Sequence, residues 1–309
     1  MRDVELVIIG AGGAGLTAAI FAGRHGLKPI VVERLGVGGQ IINAERIENF
    51  PGFPQGIGGH ELGPLLHEQA EAAGAEFTLD TVEAIEAAGE HRIVRGAGES
   101  WRAGAIIIAA GSALRPLGVP GEEKFLGRGV SHCASCDGAF FAGGVVGVVG
   151  GGDSALDEAL VLAEHAARVT IFHRGERLDA QQALRDKVAA NGKIEIALDT
   201  VVEEILGEKI LGAEAVAGVR LRDGKSGAAR LQEVKGVFVY VGLEPNTAFL
   251  RGVLALDAMG HIETDINMGT SLAGVFAAGD IRKHSVAQLA AAAGDGATAA
   301  ISAYRYLRT

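Results

Sequence analysis

Cysteine is almost absent from this chain: 309 residues contain two, Cys133 and Cys136. Two thiols with only His132 adjacent fall short of the four ligands of a structural zinc site unless distant histidines are recruited. Runs of lysine and arginine are missing as well, and the formal net charge is −10 with a pI near 5.4. That balance argues against nucleic acid or an anionic membrane surface as partner, since either is usually met by a basic face. No segment reaches the roughly 18 uninterrupted apolar residues of a membrane helix, because Gly, Asp and Arg break every candidate. The apolar opening carries Asp3 and Glu5 and runs into Gly10-Ala-Gly-Gly-Ala-Gly15, which is the pattern of a first strand and turn rather than a secretory leader. These absences together predict a cytoplasmic protein with no membrane and no nucleic-acid partner.

What is present is a well-supplied interior, with 48% hydrophobic and 21% charged residues, enough for two domain cores. The 47 glycines have no every-third-residue period and cluster at turns that must approach a ligand closely. The two cysteines stand as Cys133-Ala-Ser-Cys136, followed directly by Asp137-Gly138. A bridge closing so short a loop constrains little of the unfolded chain, so stability is a poor reason for it. In a reducing compartment, with an acid beside it, the pair reads as a redox dithiol whose leaving thiolate finds its proton donor in Asp137.

Leu6 to Ile9 reads as a buried parallel strand, and Gly10-x-Gly12-x-x-Gly15 follows it, opening a helix to about Gly26. A second strand, Pro29 to Val32, ends at Glu33, 23 residues beyond Gly10. That is the spacing at which a carboxylate meets adenosine ribose hydroxyls while the helix N-terminus faces a pyrophosphate. The construction recurs 140 residues later with Val145–Val149, Gly150-x-Gly152-x-x-Ala155, a helix to about Ala166 and a strand Arg168–Phe172, after which the matching position is His173. Two such units imply two dinucleotides, most simply a flavin and a nicotinamide. Ala105–Ala110 before Gly111 reads as another buried strand, 113–121 and 241–245 as crossovers, Gly274–Asp280 as a strand ending in Gly-Asp, and 289–307 as an alanine-rich helix. The predicted fold is α/β: two Rossmann-like dinucleotide-binding domains of three-layer ββα type, the second (114–243) inserted into the first (1–113 plus 244–309).

The order of these motifs, with Gly38-Gly39-Gln40, Glu48-Asn49-Phe50-Pro51-Gly52, Cys133-Ala-Ser-Cys136-Asp137-Gly138, Pro245-Asn246-Thr247 and Gly279-Asp280, resembles the low-molecular-weight thioredoxin reductases over essentially the whole chain. The resemblance implies a homodimer with FAD on the discontinuous domain, held by Gly10, Gly12, Gly13, Gly15, Glu33, Gly38, Gly39, Gln40, Asn49, Gly111, Gly279, Asp280 and Gln288. It implies NADH or NADPH on Gly150, Gly152, Asp153, Ser154, Ala155, His173 and Arg174. Cys136 would be the sulfur near the isoalloxazine, Cys133 the one that attacks a thioredoxin-like disulfide, and Asp137 the acid/base. The inserted domain swings in this family, with hinges expected at the two crossovers.

Four positions depart from the pattern. Where NADPH-using members carry further arginines after His-Arg, this chain has Gly175 and, later, Asp179, so that Arg174 and Arg177 are balanced by Glu176 and Asp179. An acid repels a dianionic phosphate, so NADH is expected to be accepted at least as well as NADPH. Ala287 replaces a usual arginine before Gln288, and His132, ahead of the pair, is expected to be neutral and to point to solvent. The leading expectation is an enzyme that passes electrons from NAD(P)H through FAD and Cys133/Cys136 to thioredoxin. Alternatives are a reductase of another thiol carrier, one fed by a ferredoxin- or flavin-type protein donor, a dithiol oxidase, or a flavin redox sensor without turnover.

Overall fold

The computed structural model describes residues 1–210 and 213–309. Following the chain, strand β1 (Arg2–Ile9) leads into α1 (Gly13–Arg24), β2 (Pro29–Glu33), α2 (Gly59–Ala72), β3 (Glu76–Leu79), β4 (Val82–Ala88), β5 (His91–Gly96) and β6 (Ser100–Ile108). Strand β7 (Ser112–Leu114) carries the chain on to β8 (Val130–Ser131), the short helix α3 (Ala134–Asp137), β9 (Val145–Gly150), α4 (Asp153–His165), β10 (Arg168–Phe172), α5 (Gln182–Ala190) and β11 (Ile194–Ala197). Then come β12 (Thr200–Ile210), β13 (Ala213–Asp223), β14 (Ala229–Glu233) and β15 (Gly236–Tyr240), with β16 (Leu243–Pro245), β17 (Val275–Ala277) and the closing helix α6 (Leu289–Arg308) last. Two compact units result, one of residues Met1–Ala113 with Glu244–Thr309, the other Leu114–Leu243.

In the first unit the strands run in the order β3-β2-β1-β6-β5-β4, with β17 also pairing β6. Leu6 and Ile8 of β1 pack into one core with α1 and α6, while Val7 and Ile9 pack into another with Ile85, Val94 and Trp101. Alternate side chains of a strand point to opposite faces, so a strand covered on both sides reads as an unbroken apolar run. Strand β6 forks the sheet. Its opening residues, Ser100–Ala103, pair antiparallel with β5, and Ile106–Ile108 pair parallel with β17, so the second β layer grows from the same strand. The buried strand read as 105–110 is therefore longer at its start and ends at Ile108, because Ala109 and Ala110 already turn toward Gly111.

The second unit has a five-stranded sheet, β11-β10-β9-β15-β8, and an antiparallel meander β12-β13-β14. One core joins the parallel sheet to α4 and α5 through Val146, Val148, Leu156, Leu162 and Ile171. Another, with Phe172, Val202, Ile205, Val219 and Leu221, fills the space between sheet and meander. Helix, sheet and second β layer thus make three layers, as expected for the fold class.

Candidate active site

The carboxyl ends of β1, β2, β3 and β6 open on one cleft of about 590 Å³, the place where open α/β sheets hold ligands. Gly10 adopts φ +101° with its N–H donating to Val32 O at 2.8 Å, and a Cβ there would lie 2.5 Å from Ala109 O. Gly15 brings α1 onto the strand, since a Cβ at that position would fall 1.9 Å from Gly10 O. Gly12 faces open space, and no side chain caps α1, so the first amides of the helix are left for an anion. Glu33 accepts from Ala11 N–H at 2.8 Å and Leu35 N–H at 2.9 Å, which fixes its carboxylate at the cleft wall. A cleft of this volume lined by uncapped helix amides and the Glu33 carboxylate fits FAD.

Of the residues expected at the flavin, Gly10, Gly12, Gly13, Glu33, Gly39, Gln40, Gly111, Gly279 and Asp280 line this cleft. Gly15, Gly38, Asn49 and Gln288 do not. Gly15 serves packing, Gly38 turns the chain at φ +111° and donates to Ala11 O at 2.8 Å, and Asn49 Nδ2 donates to Gln288 Oε1 at 3.0 Å. Asp80 and Phe249 also line the cleft and carry no motif; Asp80 follows directly on β3, so its strand-end position was the available signal. Burial pushes the Asp280 carboxyl above the usual carboxylate range; the Ser285 hydroxyl, donating at 3.0 Å, opposes this and nearby Asp295 adds to it. Asp295 itself, on α6, takes Arg282 at 2.5 and 2.8 Å and Gly279 N–H at 3.1 Å. This buried clamp ties the turn carrying Asp280 to the closing helix.

In the second unit Cys133 and Cys136 form a disulfide with Cα atoms 5.3 Å apart. Cys133 is the N-cap of α3, and its Sγ accepts the N–H of Cys136 at 3.2 Å. Ser131 Oγ accepts Cys133 N–H at 3.1 Å, fixing the backbone before the pair. Cys136 is exposed, and Cys133 and Asp137 are half-buried, with Asp137 N–H bonded to Cys133 O at 3.2 Å. His132 corrects the expectation of a solvent-facing ring: its Nδ1 sits 3.1 Å from Val239 O, because strand β15 runs alongside and offers a carbonyl. The sequence named Asp137 alone as the acid near the pair. The fold adds Glu158 of α4, whose Oε2 accepts Ala134 N–H at 2.8 Å, a contact across 24 residues that no local spacing announces.

The second glycine turn follows β9, with Gly152 as N-cap of α4 and open space beside it. Ala155 is buried under the turn and Ser154 is exposed. Asp153 accepts Gln181 N–H at 2.8 Å and Gln181 Nε2 at 2.6 Å, so its carboxylate anchors the loop before α5. His173 occupies the position that Glu33 holds in the first unit, but it is buried, and a Cβ on Gly151 would lie 2.1 Å from its Nδ1. Arg174, Glu176, Arg177 and Asp179 are all exposed, and Asp179 N–H donates to Gly151 O at 2.8 Å, which holds an acid beside the nucleotide turn. Among the described residues there is no group of three or more His, Cys, Asp or Glu placed to hold a metal, and no helix is long and apolar enough to cross a membrane.

Residues 4–296 match the pyridine nucleotide-disulphide oxidoreductase family. The chain is 41% identical to a thioredoxin reductase of Listeria monocytogenes over 305 residues, covering 98% of this chain and 93% of that protein. It is 42% identical to one of Streptomyces coelicolor over 311 residues, covering 99% and 95%. Among solved structures it resembles the thioredoxin reductase of Lactococcus lactis, with a TM-score of 0.96 at 39% identity and 99% of each chain covered. With a flavin-sized cleft, a second nucleotide turn and a Cys-x-x-Cys disulfide on one chain, the protein belongs to the thioredoxin reductases, enzymes of the pyridine nucleotide-disulphide oxidoreductase family that use FAD and a nicotinamide dinucleotide.

Proposed function

We propose that this enzyme reduces a thioredoxin-type protein disulfide, with the observed Cys133–Cys136 bridge beside Asp137 as the relay that carries the reading. The cleft of the first unit holds FAD: the α1 amides and Gly12 take the pyrophosphate, Glu33 the adenosine ribose, and Asp280 and Gln40 the opposite end. Held there by these residues, FAD would supply the two-electron redox chemistry that links a nicotinamide hydride to the disulfide. Residues Gly150, Gly152, Asp153, Ser154, Ala155, His173 and Arg174 form the nicotinamide dinucleotide turn of the inserted domain, residues 114–243. Asp153 works there through the Gln181 loop.

The chain's own groups do the proton work. Reducing the bridge takes two electrons and two protons. One of those protons arrives with the hydride; Asp137, immediately after Cys136, gives the other to the departing thiolate and recovers it when Cys133 attacks the partner disulfide. Cys136 N–H, aimed at Cys133 Sγ, favours the thiolate form needed for that attack. The homodimer and the cytoplasmic location expected from the sequence belong to the same proposal; light scattering on the purified protein tests the first.

Dinucleotide choice follows from charge. Asp179 and Glu176 stand exposed beside Arg174, and a ribose 2′-phosphate there meets acids where it needs a bidentate cradle. NADH is therefore expected to bleach the flavin at least as fast as NADPH in anaerobic stopped flow, with oxidised thioredoxin restoring the colour. Bleaching without recovery would remove thioredoxin as partner. No bleaching by either nucleotide would turn the search to a protein donor, and strong NADPH preference would overturn the charge argument.

A further inference from the structure

We propose that Glu158 is a positioning residue that sets the acidity of Cys133 by placing a negative charge on the first amide of the helix that carries the dithiol. The inference deepens the redox-relay reading and rests on Cys133 being its attacking thiol. Three observations meet at this point. Glu158 Oε2 accepts Ala134 N–H at 2.8 Å, and Ala134 is the first residue of α3, next to Cys133. Cys133 Sγ draws on the same helix end through Cys136 N–H at 3.2 Å. The Tyr240 hydroxyl is buried beside Glu158, and burial, with the charge of Glu158 next, keeps it protonated far above the usual phenol range.

A backbone N–H directed at a sulfur stabilises its thiolate, and a carboxylate seated on the neighbouring amide works against it by charge repulsion. Two opposed influences therefore bear on one sulfur. The amide of Cys136 makes the thiolate easier to form, while Glu158 makes it harder, which keeps Cys133 from being trapped as an over-stable and weakly nucleophilic thiolate. The other titratable groups around the pair are fixed differently. His132 is tied to Val239 O, Asp137 closes α3, Asp157 neighbours Glu158 on α4, and His165 at the end of α4 lies against Gly138. Among the described residues, Glu158 alone is bonded to the first amide of the dithiol helix.

The test is the pH dependence of Cys133 alkylation by iodoacetamide in the flavin-bound protein, in a Cys136→Ser background that leaves a single thiol and keeps the amide at position 136. A unit charge a few ångströms away in a half-buried setting shifts a pKa by about one unit. Glu158→Gln, which retains an oxygen for Ala134 N–H, is expected to lower the alkylation midpoint by about one pH unit and to raise the rate about tenfold below both midpoints. A merely structural role gives the opposite sign, because a loosened helix loses the Cys136 amide and the midpoint rises. Should Glu158→Gln fail to retain flavin, Glu158→Asp, with its charge drawn back by one methylene, is expected to shift the midpoint the same way by less. A midpoint that stays in place or rises in the folded variant overturns the proposal. Neither nucleotide nor thioredoxin enters the assay, so a failed partner assignment leaves this result readable.

Discussion

Replacing Asp295 is expected to unseat the flavin turn and to destabilise the first unit together. The carboxylate takes two bonds from Arg282, at 2.5 and 2.8 Å, and a third from Gly279 N–H at 3.1 Å, with side-chain exposures of 18% for Arg282 and 10% for Asp295. Removing one partner of a buried pair leaves an uncompensated charge and costs about 3–5 kcal/mol. Arg282 keeps some access to water and a bond to Lys283 O at 3.3 Å, so the lower end, about 3 kcal/mol, is expected for Asp295→Ala. At roughly 2–4 °C per kcal/mol for a unit of this size, Tm falls by about 10 °C. The double variant Arg282→Met with Asp295→Leu is expected to recover much of that loss, because exchanging both charges for apolar groups leaves no orphan. The assay is thermal unfolding by circular dichroism with flavin retention followed in parallel. Gly279 and Asp280 line the cleft, so FAD affinity should drop in Asp295→Ala along with Tm. A Tm change below about 2 °C, or a double variant less stable than the single one, would refute the ion-pair reasoning. A fall in Tm with unchanged FAD affinity would refute the positioning of Asp280.

Asp280 also carries a pH signature. Its native pKa lies above the unfolded value, chiefly through burial, so between those two values the folded state binds more protons. Its charge therefore costs stability at neutral pH, and the cost is relieved as pH falls through the raised pKa. Flavin-free Asp280→Asn is expected to unfold at a higher temperature than wild type at pH 7, with the gap closing toward pH 4; a gap constant with pH would show that the carboxyl is not the cause. Gly15→Ala should yield protein purified without FAD, since its Cβ would fall 1.9 Å from the carbonyl of Gly10 and must push the glycine turn away. Yellow protein with normal flavin content would contradict the close approach of α1 to the strand.

How much of this was legible in the sequence depended on the range of the interaction. The glycine turns, Glu33 and the disulfide lie within short stretches whose spacing is set by one strand and one helix, so their positions could be read directly. Strand ends were harder. The β1 reading began at Leu6, whereas the strand starts at Arg2, because Arg2 and Asp3 pair with Trp101 and Arg102, and Asp3 bonds Arg102 at 2.6 Å at the exposed start of the strand. Those polar residues carry no hydrophobic pattern, and only their partner 99 positions away reveals them as strand. The β12–β14 meander was not singled out, since its alternation is diluted by charged residues, the half-buried Glu203, Glu204 and Arg222 and the exposed Arg220, which pair with one another across the strands.

The site shows the same division more sharply, and it bears on how this enzyme distributes its chemistry. The groups proposed to touch a cofactor or substrate sit on turns and at strand ends, where local sequence dictates the backbone. Groups that tune them, Glu158 behind the dithiol and Asp295 behind Asp280, project from the bodies of α4 and α6, where a carboxylate within an apolar helix pattern is the sole trace. Each such acid binds a backbone N–H beside the group it serves, at Ala134 and at Gly279. Burying a carboxylate is costly unless it is bonded, so the helix face that receives it must present a free amide at that spot. A turn that leaves an amide unused by its own side-chain cap, as the nucleotide turns do throughout and the dithiol turn does at Ala134, supplies such partners. The openness that lets the turns hold ligands is thus what lets distant helices reach in and adjust them.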